Sequence, residues 1–252
     1  MGGGILCAGS VKSALAQEFP DKQPHSDKAH SSNAHQESQP SSLLNESQKF
    51  NESQNQTIPS KLTPKQALKQ LIQGNQQFVS QKRLNPHQNT IRLAEVAVEQ
   101  APFAAILGCA DSRVVPEIIF DQGIGDLFVV RVAGNIAITE DIASEEYAVV
   151  EMGVPLLMVL GHEGCGAVTA ALKGGSYAGV IPSLVQAIAP AIAASSAEPG
   201  DRLTNAIKAN IDLQVKRLKN SKVIASAIQQ GKLKVVGAYY ELSTGKVKLL
   251  DI

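Results

Sequence analysis

The chain has 252 residues, with 23 Lys plus Arg balanced by 23 Asp plus Glu and 44% hydrophobic residues. Net neutrality excludes a general electrostatic footprint for nucleic acid or anionic membrane. No apolar stretch approaches the about 18 residues of a transmembrane helix, and three cysteines, far apart, exclude a disulfide scaffold.

Residues 1–16 are small and apolar, and Ala14-Leu15-Ala16 before Gln17 has the pattern of a cleavage site. The segment is expected to be an export signal or leader, directing the chain to the periplasm or an equivalent lumen. It lacks a basic n-region, and the competing reading is an unprocessed extension on a cytoplasmic chain. Cys7 as a lipid anchor is a weaker alternative, because Gly-Ile-Leu makes a poor lipidation box. Residues 17–60 are rich in Ser, Gln, Asn and His, and Asn-Glu-Ser-Gln occurs twice, at 45–48 and 51–54. With no apolar period, this stretch cannot bury enough surface to offset its ordering entropy, and a disordered polar tail is expected. His25, His30 and His35 fall within it.

Residues 61–252 read as one folded domain. Thr63-Pro64 is a helix start, and Ala67, Leu68, Leu71, Ile72 and Phe78 recur with helical period. Apolar runs at 103–107, 127–132, 155–160 and 233–242 read as buried strands. Helical patterns at 142–152, 167–172 and 203–218 lie between them. Alternation of this kind predicts a Rossmann-like α/β domain, with a mainly parallel sheet of four or five strands flanked by helices and an N-terminal helical arm. Ser243-Thr244-Gly245 is a turn into a last, antiparallel edge strand at 246–250. Trp is absent and aromatics are 4%, so the core must come from Ala, Val, Ile and Leu.

Two predicted strands end in sulfur: Gly108-Cys109-Ala110-Asp111-Ser112-Arg113, and Gly161-His162-Glu163-Gly164-Cys165-Gly166. In open α/β sheets ligands bind at that carboxyl edge. Cys109, His162 and Cys165 make a Cys2His set, which suits zinc with one position left open. A lone buried Cys is usually a small hydrophobe, and a thiol redox site would need the Cys-x-x-Cys pairing that is missing here. The two motifs together outweigh those readings.

These motifs resemble the two signatures of the β-class carbonic anhydrases. Gly74-Asn75-Gln76-Gln77-Phe78, the segment 128–135, Glu146-Tyr147-Ala148-Val149 and the stretch 231–245 are similar to further segments of that family, so the resemblance spans about residues 62–250. It implies one Zn2+ per subunit on Cys109, His162 and Cys165, and reversible hydration of carbon dioxide to bicarbonate and a proton by zinc-bound hydroxide. Two thiolates offset the metal's charge, so activity is expected to favour neutral to alkaline pH.

The family's dyad carries over to Asp111 and Arg113. In some members the carboxylate instead closes the site as a fourth metal ligand, so Asp111 has two mutually exclusive roles. The regulated members carry Trp three residues before the first ligand. Ile106 stands there, although Gly108 does resemble that subgroup, and an open site with Asp111 paired to Arg113 is expected. By the same resemblance Gln100, Phe128 and Tyr147 face substrate, the two aromatics partly across a subunit boundary. For both, plain core packing is the competing reading. The Gly166 N–H, after a ligand and opening a helix, is a candidate anion donor, and His87 is a candidate proton shuttle or an ordinary surface His.

The family also implies a homodimer or a multiple of dimers, with the helix at 64–78 embracing a partner. Competing functions are hydrolysis of carbonyl sulfide or carbon disulfide on the same fold, and a zinc-containing binding protein without turnover.

Overall fold

The computed structural model describes residues 62–252. The leader, tail and repeat readings of residues 1–60 lie outside the described residues. A capping box starts α1 (Pro64–Val79): the Gln66 N–H donates to the Thr63 hydroxyl at 3.3 Å, and the Thr63 N–H donates to the Gln66 side chain at 2.8 Å. There follow α2 (Thr90–Val98), β1 (Ala104–Gly108), α3 (Pro116–Ile119), β2 (Leu127–Arg131), α4 (Thr139–Val150) and β3 (Leu156–His162). The chain then forms α5 (Gly166–Lys173), α6 (Ile181–Ala194), α7 (Arg202–Lys219), α8 (Lys222–Gln229), β4 (Lys234–Tyr240) and β5 (Val247–Leu250).

The five strands form one sheet in the order β2-β1-β3-β4-β5, parallel except for antiparallel β5. Every residue of β1 and β3 is buried, whereas β2, at the open edge, is only half covered. Alternate residues feed two cores. Ala105, Leu107, Leu157, Val159 and Val235 pack under α4, α6, α7 and α8. Ala104, Ile106, Leu156, Met158, Leu160 and Val236 pack under α1 and α3. The strand order reverses at β1 and β3, which makes their carboxyl ends the switch-point crevice of the sheet.

The α1 face that carries Ala67, Leu71, Gly74 and Asn75 is spent on its own protomer. Asn75 Nδ2 donates to the carbonyls of Ile119 and Gly245 at 3.1 and 2.9 Å, and its Oδ1 accepts the Val247 N–H at 2.9 Å. By contrast, α2 buries no residue and leaves Ile91 and Val98 exposed. Gly161 lets α7 lie close on β3, since a Cβ there would stand 2.6 Å from Ile211. That approach seats α7 beside the strand residue preceding His162.

Candidate metal centre

After β1 the chain turns through Cys109 to Arg113. The turn is held to the end of β2 by Val132 N–H donating to the Gly108 carbonyl and Ala110 N–H donating to the Val132 carbonyl. His162 is the last residue of β3. Two residues on, Gly164 takes φ +64, a left-handed turn that glycine adopts without strain, and Cys165 then caps α5. The Cys109, His162 and Cys165 donor atoms lie within 4.8 Å of one another, and all three residues are buried.

His162 Nδ1 lies 2.9 Å from the Glu163 carbonyl. A carbonyl only accepts, so Nδ1 carries the ring proton and Nε2 presents a lone pair. That Nε2 is buried and has no hydrogen-bond partner among the described residues. A buried acceptor left bare is costly, and a metal ion removes the cost. Cys109 Sγ accepts the Gly134 N–H at 3.3 Å. At Cys165 the amides of Val168 and Ala167, at the amino end of α5, favour the thiolate, against the larger effects of Cys109 and burial. The two sulfurs lie within 4.8 Å of each other and cannot both shed their protons cheaply. Cys165 and the Gly134 N–H pull Cys109 below the ordinary thiol range, while Cys109 and burial push Cys165 up. A divalent cation resolves this conflict by balancing the charge of both thiolates. The donor set therefore fits zinc on its own chemistry.

Above the cluster, Arg113 Nε donates to Asp111 Oδ1 at 2.9 Å and an Arg113 Nη donates to Oδ2 at 2.8 Å, while the Arg113 N–H adds a third bond at 3.0 Å. Arg113 holds the Asp111 carboxyl well below the usual carboxylate range. Asp111 Oδ2 also lies 3.9 Å from His162 Nε2, at the mouth of the donor cluster. The turn beneath is braced from β2: Arg131 donates to the carbonyls of Cys109 at 3.0 Å and Asp111 at 2.7 Å.

Other predicted site residues stand apart from the cluster within the protomer. Gln100 is exposed in the coil before β1. Phe128 and Tyr147 form a ring pair at 6.4 Å. Phe128 is in register with Ala105, four strand residues before Cys109, or about 13 Å along the strand. Gly166 faces open space, since a Cβ there would meet nothing within 4 Å. His87 pairs with Asp126 at 2.7 Å, at the amino end of β2 and the opposite edge of the sheet from the cluster. The roles of Gly134, Arg131 and Glu163 escaped the motif reading. Glu163 binds the amides of Leu242 and Ser243 through one oxygen, at 3.0 and 3.4 Å, and so ties the His162 turn to the end of β4. Its place between two candidate ligands was the available signal.

A family model described as carbonic anhydrase matches residues 104–247. Carbonic anhydrase 2 of Mycobacterium tuberculosis is 40% identical over 193 residues, covering 75% of this chain and 93% of that protein. Carbonic anhydrase of Pseudomonas aeruginosa is 34% identical over 168 residues, covering 62% and 76%. Among solved structures, a tetrameric β-carbonic anhydrase from Sordaria macrospora superposes with a TM-score of 0.62 at 29% identity, covering 71% of this chain and 94% of that one.

Proposed function

The chain belongs to the β-carbonic anhydrase family, and from that premise we propose that it hydrates carbon dioxide reversibly with one zinc ion held by Cys109, His162 and Cys165. The family supports the reaction, CO2 + H2O to HCO3− + H+. The observation that carries the zinc assignment is the bare, buried Nε2 of His162 facing two sulfurs within 4.8 Å. Bound there, zinc supplies the Lewis acidity that makes a nucleophile of water near neutral pH.

The chain's own groups do the rest. Asp111, ionised and locked by Arg113, accepts a hydrogen bond from the attacking oxygen, which turns a lone pair toward the carbon of the substrate. Both Asp111 oxygens already take Arg113 donors, which favours the open arrangement over Asp111 as a metal ligand. The amino end of α5, opened by Gly166, offers a favourable field to the bicarbonate product. One proton per turnover leaves to solvent.

The working unit is a homodimer or a multiple of dimers. Supporting this are the open β2 edge, the unburied α2, and the separation of Gln100, Phe128 and Tyr147 from their own protomer's cluster. In such an assembly those three residues complete a partner's pocket. Among the described residues no helix is long and apolar enough to cross a membrane. Export with cleavage after Ala16 remains the reading for residues 1–16. Mass spectrometry of the native amino terminus tests it, and an uncleaved chain overturns it.

Stopped-flow hydration of carbon dioxide tests the function. Wild type should carry one zinc per chain and turn over, and Cys165→Ser should lose both metal and activity. Full activity in the metal-free protein would sink the zinc assignment. Turnover of carbonyl sulfide without carbon dioxide hydration would sink the substrate assignment.

A further inference from the structure

Two side-chain amides are buried in a helix that otherwise presents hydrocarbon to the sheet. Asn210 and Gln214 of α7 are wholly buried, one turn apart, among Ile207, Ile211, Val215 and Leu218. Apolar residues would satisfy the core at both positions without the desolvation cost of burying amides. Their hydrogen bonds form one line. The Ala137 N–H and an Arg217 Nη donate to Gln214 Oε1 at 2.9 and 3.1 Å. Gln214 Nε2 donates to Asn210 Oδ1 at 2.8 Å, and Asn210 Nδ2 donates to the Gly134 carbonyl at 2.8 Å. The line ends one residue from sulfur, where the Gly134 N–H donates to Cys109 Sγ.

The polarity of this line is fixed at both ends. A backbone N–H and a guanidinium can only donate, and a carbonyl can only accept, so neither amide can flip without losing bonds. What the line holds is a residue that needs holding. Gly134 sits at φ +79, and the next residue, Asn135, at φ +43. A Cβ on Gly134 would stand 2.8 Å from Ile188 and 3.1 Å from Ala167, so only glycine fits between α5 and α6, and glycine is the residue with the widest backbone freedom. The carbonyl, on the following peptide, is clamped from α7, and the N–H, on the preceding peptide, meets Cys109, so both peptides flanking the Gly134 Cα are held and its left-handed conformation is kept.

We propose that Asn210, oriented by Gln214, is a positioning residue for the metal centre: by clamping the Gly134 carbonyl it holds the left-handed Gly134 conformation from which the Gly134 N–H meets the Cys109 sulfur. The proposal rests on Cys109 being a zinc ligand. Outer-shell partners of this kind are worth about 10- to 100-fold in metal affinity.

The test uses the full chain, with zinc affinity read by chelator competition and ligand geometry read from the sulfur-to-cobalt charge-transfer and d–d bands of the cobalt(II) protein. Asn210→Leu should weaken zinc binding about 10- to 100-fold and shift the cobalt bands. Gln214→Met, which removes the donor that fixes the Asn210 amide while leaving the Asn210 side chain in place, should change both in the same direction by a smaller amount. Leu218→Ala, on the same helix and outside the line, should lower the melting temperature through the cavity it leaves and leave affinity and spectrum as in wild type. If Asn210→Leu does not fold, Gln214→Met decides. Unchanged affinity and spectrum in the folded amide variants, or an equal loss in Leu218→Ala, overturns the positioning role while leaving the zinc assignment standing. A wild-type chain that takes up no metal overturns both.

Discussion

Arg113 grips both carboxylate oxygens of Asp111 across a two-residue turn, Nε on one and an Nη on the other. The two contacts are parallel, as only a planar guanidinium can make them. Arg113 is more than half exposed while Asp111 is largely covered, at 57% and 17%. The arginine thus reaches in from solvent to aim the carboxylate, and its value lies in orientation more than in charge. Arg113→Lys keeps the charge and loses the fork. It should therefore fall nearly as far as Arg113→Ala, and Asp111→Asn should lower kcat/KM about 100-fold or more at unchanged zinc content. Full activity in Arg113→Lys would show that charge alone suffices.

Glu145 of α4 carries a different consequence. It is fully buried, and neither carboxylate oxygen has a partner among the described residues. Burial first, and then Asp141 one turn earlier, push its pKa from 4.5 up to about 8. Between those values the folded chain keeps the proton and the unfolded chain releases it. Stability therefore falls as pH rises through this window, by about 1.4 kcal/mol per pH unit at most. Glu145→Gln removes the slope. Thermal melts should show the variant gaining on wild type steadily from pH 5 to pH 8, with the two close together at pH 5. A constant gap across that range would mean that Glu145 ionises normally.

The same residue shows why part of the site was illegible in the sequence. The Cys109 and His162–Cys165 motifs were readable because each is contiguous and follows an apolar run, so strand end and ligand appear together. Asn210, Gln214 and Glu145 are polar residues within helices, and an amphipathic pattern assigns such residues to solvent. Their burial follows from which face α4 and α7 turn to the sheet, and apolar period alone does not carry that. Four other helices escaped for local reasons, α3 because it has only four residues. Pro190 lies inside α6, α8 is only eight residues, and α2 buries nothing, so none shows a long, clean apolar stripe. The edge position of β2 was equally hidden: Leu127 to Val132 reads as a buried run, yet β2 is only half covered.

That half-covered edge bears on assembly. With Ile91 58% and Val98 90% exposed on a helix that buries nothing, association removes apolar surface from water. Light scattering at micromolar concentration should give at least twice the protomer mass. Ile91→Asp with Val98→Asp should shift the chain toward single protomers, with a parallel fall in carbon dioxide hydration. A wild type that is both monomeric and fully active would remove the shared-pocket role of Gln100, Phe128 and Tyr147.

Arg131 offers the most direct probe of how the sheet supports the metal centre. It is the last residue of β2, and its guanidinium donates to the carbonyls of Cys109 and Asp111. One side chain thus braces a proposed ligand and the proposed hydrogen-bond acceptor for the attacking oxygen at once. Arg131→Met keeps much of the stem and removes the donors. The turn should then relax, releasing Cys109 toward solvent and turning the Asp111 carboxylate away from the cluster. Zinc affinity should fall about 10-fold or more, and kcat should fall further in the fully loaded protein, because the second carbonyl belongs to the residue that orients the nucleophile. Arg131→Lys, which can satisfy only one carbonyl at a time, should lie between the two. Normal zinc affinity and normal kcat in Arg131→Met would mean that the β1 turn holds its shape through Gly108, Ala110 and Val132 alone.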